Sequence, residues 1–260
     1  MTNYVREIWR CRYFWLSLVQ LDLRARYRGS VMGLGWSLLR PLLMTTIVCV
    51  VFHGLFELPP LEYAAYALTG LACWSYLTGV AVEGCHCLIR AEPHIRQHRA
   101  PLAIYPLRTA LGSTTHLLAA LALVVVLAGW ATGFEHPVSL LYLVPAVVLL
   151  FLLGWSAAII LGLAHVHFRD TQHLCDVLFQ FLFYATPVLY PASLLHGRGL
   201  GWLVMYNPFA SFLELIRRPI LNGQAPTASA YAAAILTVLV MALVAGLLLN
   251  RLQRRIVFRF

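Results

Sequence analysis

Cys85, His86 and Cys87, followed by His94 and His98, form the densest set of metal-type ligands in the chain. Structural zinc sites draw thiolates and imidazoles from C-x-x-C-like and H-x-x-x-H-like pairs. No C-x-x-C occurs, and the set as a whole fits no standard zinc spacing. Reduced thiols at a helix end are the reading, since an unpaired cysteine in apolar surroundings behaves as a small hydrophobe. P-loop nucleotide hydrolysis and lysine-based covalent chemistry are excluded more firmly. The 260 residues contain no lysine, so all 19 basic residues are arginine. A Walker-type loop needs its lysine at the phosphates, and Schiff-base chemistry needs a lysine amine. No G-x-S-x-G elbow or H-E-x-x-H helix is present, and Ser113 with His116 reads as packing.

The remaining polar groups are set in a chain that is 61% hydrophobic and 11% charged, with mean hydropathy +0.77. An ordinary soluble domain is about 25% charged. This is a membrane body that takes its energy from elsewhere. The net charge of +9 comes from arginines between apolar runs, which is membrane topology and not a nucleic-acid surface. No clean apolar leader precedes a small-residue cleavage site, and no disulfide framework is expected from the six cysteines.

A spanning helix needs about 20 mostly apolar residues. Six segments qualify: 36–57, 62–84, 106–131, 138–166, 174–191 and 229–250. With the N-terminus inside, sixteen of the nineteen arginines fall on the cytoplasmic side, and only Arg198, Arg217 and Arg218 lie outside. Both termini are therefore expected to be cytoplasmic. Residues 4–20 place Val5, Ile8, Trp9, Leu16 and Val19 on one helical face, which suits a helix lying in the headgroup plane. The organisation expected is one transmembrane domain over 1–260. Residues 1–35 form the interface helix and lead-in segment, 36–250 the six-span body, and 251–260 a cytoplasmic tail.

On this frame the polar residues take positions. Asp176, Gln180 and Tyr184 recur at helical spacing on span five, with Pro187 beyond them. Such a stripe lines a wet passage or bonds a neighbouring helix. Trp74 and Tyr76 on span two offer rings with polar tips to a sugar, whereas Tyr63 and Tyr66 read as an outer aromatic belt. Pro187 and Pro191 must kink or end span five. Arg24, Arg26 and Arg28 sit where anionic headgroups or a lipid pyrophosphate are met; arginine's fork suits phosphate, and attraction to bulk anionic lipid is the alternative.

Several segments resemble one family. Asp22-Leu23-Arg24-Ala25-Arg26-Tyr27-Arg28, Leu34-Gly35-Trp36 and Arg40-Pro41 resemble the opening motif of polysaccharide-export ABC permeases of the type-2 class. His98-Arg99-Ala100-Pro101 with Tyr105-Pro106-Leu107, Phe168-Arg169-Asp170, Thr186-Pro187-Val188-Leu189-Tyr190, and Tyr206-Asn207-Pro208-Phe209 are similar to its later segments, in order. The resemblance implies an all-α permease fold with six spans, an interface helix, a cytoplasmic coupling helix and an external re-entrant hairpin. It implies a homodimer in the bacterial plasma (inner) membrane that exports a lipid-linked polysaccharide such as O-antigen or capsule. The chain itself then carries no cofactor. Two separate ATP-binding cassette subunits hold ATP and Mg. Arg90, Glu92, His94, Arg96, His98 and Arg99 become the contact to that ATPase, and Pro187, Pro191, Asn207 and Pro208 the external gate. Export of a small lipid or drug, or a membrane-embedded lipid- or glycan-modifying enzyme, are the competing readings.

Reversing charge at Arg96 and Arg99, each to glutamate, is expected to uncouple the partner's ATP hydrolysis from export while the permease still inserts. Paired ATPase and transport assays on the same membranes check this.

Overall fold

The computed structural model describes residues 2–29, 33, 35–52, 59–97, 100–132, 137–197, 199 and 201–256. Every regular element among them is helical. In chain order these are α1 (Thr2–Arg10), α2 (Arg12–Tyr27), α3 (Gly35–Phe52), α4 (Pro60–His86), α5 (Glu92–Gln97) and α6 (Ile104–Thr132). A 3-10 turn over Pro137–Tyr142 then leads into α7 (Leu143–His167). Next come α8 (Thr171–Ala185), α9 (Ser193–Gly197), α10 (Gly201–Met205), α11 (Pro208–Leu221) and α12 (Ala228–Ile256).

Among the described residues four helices are long and apolar enough to cross a membrane: Pro60–His86, Ile104–Trp130, Pro137–His167 and Ala228–Gln253. The expected fifth span is shorter, and residues 53–57 of the expected first span lie outside the described residues. The apolar part of α3 covers Leu38–Phe52, and α8 has 15 residues, about 22 Å at 1.5 Å per residue. Span five stops at Ala185 and not at 191 because of Pro187. The residue before a proline is pushed out of the helical region, and Thr186 is extended at φ −103°, ψ 138°.

α4 is the most buried of the four long helices and packs against α6, α7, α3, α11 and α8. Its contact with α7 is built on small residues. A Cβ added at Gly84 would stand 2.8 Å from the Ala158 Cα, and one at Gly162 would stand 2.8 Å from Cys87 Sγ. Gly154 receives the Tyr76 hydroxyl in the same seam. Lipid tails are as apolar as leucine, so close backbone approach, more than solvent exclusion, holds such helices together. Leu68, Tyr76, Val80, Leu150 and Leu153 fill the core around the seam. The outward faces of α3, α8 and α12 carry Ile47, Val50, Val177, Phe181, Leu239 and Leu243, all exposed, as a lipid-facing or subunit-facing surface demands.

A second core closes the end of the bundle that bears both chain termini. Ile8 and Leu18 of α1 and α2 pack there with Leu88, Ile104, Tyr105, Leu163 and Leu249. The expected single interface helix is two helices, because the chain leaves helical geometry at Cys11, φ −86°, ψ 17°. Trp15 Nε1 spans the break and donates to the Ile8 carbonyl at 3.2 Å. The Tyr4 hydroxyl accepts the Ala103 N–H at 3.3 Å, and burial pushes this phenol above its ordinary pKa. The lead-in residues 21–27, which the sequence placed after the interface helix, continue α2.

Gly84→Leu is expected to cost about 1–3 kcal/mol by overpacking the α4–α7 seam. It should lower the thermal unfolding midpoint of the detergent-solubilised protein. A Cβ at Gly79 meets nothing within 4 Å, so Gly79→Ala should leave that midpoint unchanged.

Candidate translocation wall and the clamp beyond it

Thr171 opens α8 and Thr186 ends it, so fifteen residues present a face to α4. Asp176, Gln180 and Tyr184 lie on this face at i, i+4 and i+8, and all three are exposed. They line a groove of about 250 Å³ together with Trp74, Thr78, Phe179 and Phe183. Trp74 forms its floor. It is 7% exposed and meets the rings of Phe179, Phe183 and Phe209 edge-on, with centroids 5.9, 5.7 and 6.1 Å away. Edge-to-face packing fixes the indole without covering its whole face. Four of the five sequence-predicted lining residues thus share one groove. Tyr76 does not. It points the other way along α4, is 4% exposed, and donates its hydroxyl to the Leu150 carbonyl at 3.1 Å. It belongs to the α4–α7 seam, because Trp74 and Tyr76 are two residues apart and so stand about 200° apart on a helix with 3.6 residues per turn.

Beyond the groove, α8 breaks. A helix ending within an apolar bundle leaves carbonyls that need donors from elsewhere. Arg217 of α11 supplies donors to two of them. Its guanidinium donates to the Pro187 carbonyl at 2.6 Å, to the Tyr66 hydroxyl at 2.8 Å and to the Tyr66 carbonyl at 3.4 Å. It also donates to the Val188 carbonyl. The guanidinium carbon lies 3.7 Å from the Tyr66 ring centroid. The Tyr63 hydroxyl donates to the Leu189 carbonyl at 3.0 Å, and Tyr66 to the Tyr190 carbonyl at 2.9 Å. Four successive carbonyls, 187–190, are therefore received by α4 and α11. Gly70 makes room: a Cβ there would collide with both the Val188 carbonyl and the Arg217 guanidinium.

Asn207 joins the same assembly at both ends. Its Nδ2 donates to Thr186 Oγ1 at 2.7 Å and to the Ala185 carbonyl at 3.4 Å, while its Oδ1 accepts the Phe209 N–H at 3.0 Å. One side chain thus caps the end of α8 and the start of α11, where Pro208 takes the first helical position it tolerates. Pro187, Asn207 and Pro208, predicted together as a gate, are brought together. Pro191 follows the last clamped residue and is half-buried.

Sequence reading placed Arg217 among the outer arginines and in the external segment without a clamp role, and read Tyr63 and Tyr66 as an interfacial belt. Both tyrosines are clamp donors, and Tyr63 is 0% exposed. The signal was present. Arg217 shares a helical face with Leu213, Ile216 and Ile220, all buried, whereas Arg218 pairs with Glu214 at i, i+4. An arginine on an apolar stripe near a proline-broken helix predicts a carbonyl clamp.

The remaining predicted residues sit at the terminal end of the bundle, apart from the groove. Arg90 pairs with Glu83, and Arg96 with Glu92 at 2.8 Å within α5. His94 is half-buried on α5, and Pro93 is the second residue of that helix. His98 and Arg99 lie outside the described residues. Arg24, in α2, and Arg28, just past its end, are exposed; Arg26 lies in α2, its side chain outside the described set. Among the described residues no group of three metal-type ligands converges.

A bundle of apolar helices with a polar groove, a broken helix and a two-helix terminal element is that of a transport permease. Residues 13–221 match the ABC-2 type transporter family, and the chain belongs to that family. It is a multi-pass membrane protein. The chain is 31% identical over 215 residues to the O-antigen export system permease protein RfbA of Myxococcus xanthus, covering 82% of each. It is 26% identical over 205 residues to each of two proteins of that name from Klebsiella pneumoniae, covering 78% of each.

Arg217→Lys is expected to destabilise the protein by about 3 kcal/mol, because one ammonium cannot reproduce a fork that serves two adjacent carbonyls. Gly70→Val should act similarly. Detergent thermal unfolding measures both, and Arg218→Lys is the control that should shift little.

Proposed function

We propose that the chain is the membrane subunit of an ATP-driven exporter of a lipid-linked polysaccharide. Two copies enclose the route, and separate ATPase subunits, carrying ATP and Mg, drive it. The observation that carries this reading is the Asp176–Gln180–Tyr184 stripe beside Trp74, exposed on the face of an otherwise apolar helix. Lipid punishes such a stripe. An unpaired hydroxyl or amide in hydrocarbon costs roughly 4–8 kcal/mol, so these groups call for water or hydroxyl-rich cargo. A sugar chain has the same need multiplied by its length. One protomer supplies an open groove, and a second copy facing it makes a closed route.

In this reading the bundle end with both termini faces the cytoplasm of a bacterium and the membrane is the plasma membrane. α5 and its flanks, Arg90 to Arg99, meet the ATPase. Arg24, Arg26 and Arg28 greet the anionic carrier of the glycan. The clamp at 187–190 with Asn207 and α11 is the outer gate, where the cargo leaves. The names of the similar proteins support polysaccharide as the cargo over a small lipid or drug.

The test is reconstitution of the permease with its ATPase in liposomes. ATP hydrolysis should rise with lipid-linked glycan and not with a short-chain lipid or drug. Gln180→Trp, which fills the groove, should cut glycan export at least tenfold with assembly and basal hydrolysis intact. Turnover by the permease alone, or equal stimulation by a small lipid, overturns the assignment.

A further inference from the structure

A second cavity, of about 340 Å³, lies at the terminal end of the bundle between α2, α4 and α6. It plays no part in the groove. Asp22 of α2 enters it in a bidentate pair with Arg108 of α6. Glu83 of α4 enters in a pair with Arg90, in the turn that leads to α5. Tyr105, Thr109, Ser113 and His116 of α6 complete the wall. Two guanidinia and two carboxylates thus face one space in balance. An anion alone meets two carboxylates there, and a cation alone meets two guanidinia.

Two further observations make this a built site. Tyr105 is 1% exposed, yet its hydroxyl has no hydrogen-bond partner among the described residues, and it lines the cavity. A buried unpaired hydroxyl costs about 1–3 kcal/mol, so a ligand oxygen is the natural partner. Gly112 also lines the space, and a Cβ there meets nothing within 4 Å. The wall is open where a side chain would otherwise stand.

We propose that this cavity binds the headgroup of a zwitterionic phospholipid bearing a primary amine, phosphatidylethanolamine chemistry. Phosphate oxygens lie toward Arg108, Arg90 and the Tyr105 hydroxyl, and the ammonium lies toward Asp22 and Glu83. The charge balance selects a ligand carrying both signs. The N–H donors of the ammonium select it over a quaternary amine, which has none to give a carboxylate. A glycosyl unit also carries donors and acceptors, but a neutral sugar brings no charge to match the two guanidinia and two carboxylates. The headgroup bridges α2, α4 and α6, and so fixes the interface helix against the turn before α5. This inference is independent of the cargo.

The experiment is native mass spectrometry of the delipidated full chain titrated with dioleoyl lipids. Phosphatidylethanolamine should bind about tenfold more tightly than phosphatidylglycerol or phosphatidylcholine, the loss of one charge-assisted bond. Gly112→Leu and Asp22→Asn should each abolish that preference. Gly112→Leu occupies open space, so it tests the site with the fold retained; its gel-filtration profile should match wild type. Free phosphoethanolamine should compete, which separates headgroup recognition from acyl-chain partitioning. Equal binding of the three lipids, an unchanged preference in Gly112→Leu, or displacement of the lipid by a neutral glycoside overturns the proposal.

Discussion

The structure turns on an unfinished helix. α8 stops at Ala185, part-way through an apolar bundle, and four carbonyls follow without helical donors. Water is scarce at such a place, and each orphan costs several kcal/mol in hydrocarbon. The fold answers with Arg217, Tyr63 and Tyr66. A guanidinium here faces a heavy desolvation cost, and the groups that receive it are carbonyls and the Tyr66 phenol. It is favoured because one planar fork satisfies adjacent carbonyls at once while its face rests on an aromatic ring. The absence of lysine from the whole chain fits this economy at the one place where a compact ammonium would serve badly.

From that point the rest of the distal end follows. α11 must lie deep enough to bring Arg217 to α8, so it buries Phe212, Leu215 and Ile216 in the core. α4 must come close enough to offer its tyrosines, so it carries glycine at 70. Asn207 ties the two helix ends in one side chain. The groove begins directly below, with Tyr184 one residue before α8 ends and Phe209 both next to the cap and against Trp74. Clamp and groove are therefore one continuous piece of packing, not two modules.

Much of this was legible in the sequence. Long apolar runs fix helices whatever their neighbours, and four of six expected spans have full crossing length. The Asp176–Gln180–Tyr184 stripe was readable because helical periodicity alone places residues four apart on one face. What escaped was whatever depends on a partner remote in sequence. Tyr63, Tyr66 and Tyr76 are alike in the one-dimensional text, yet Tyr76 serves α7 and the other two serve the end of α8. Arg217 and Arg218 are adjacent, and only their registers on α11 separate a buried clamp from a surface ion pair. The pairing of Asp22 with Arg108, 86 residues on, carries no local signal at all.

The glycine-lined seam between α4 and α7 has a mechanical meaning. Backbones that touch without intervening side chains cannot slide by a fraction of a turn, since every small-residue hole admits only its own neighbour. Those two helices behave as a fixed frame, or stator. α8 touches that frame lightly along its length and is pinned at its capped tip, so it is shaped to pivot about that tip. Under the proposed function, the swing of this one short helix about its capped tip sets the width of the groove.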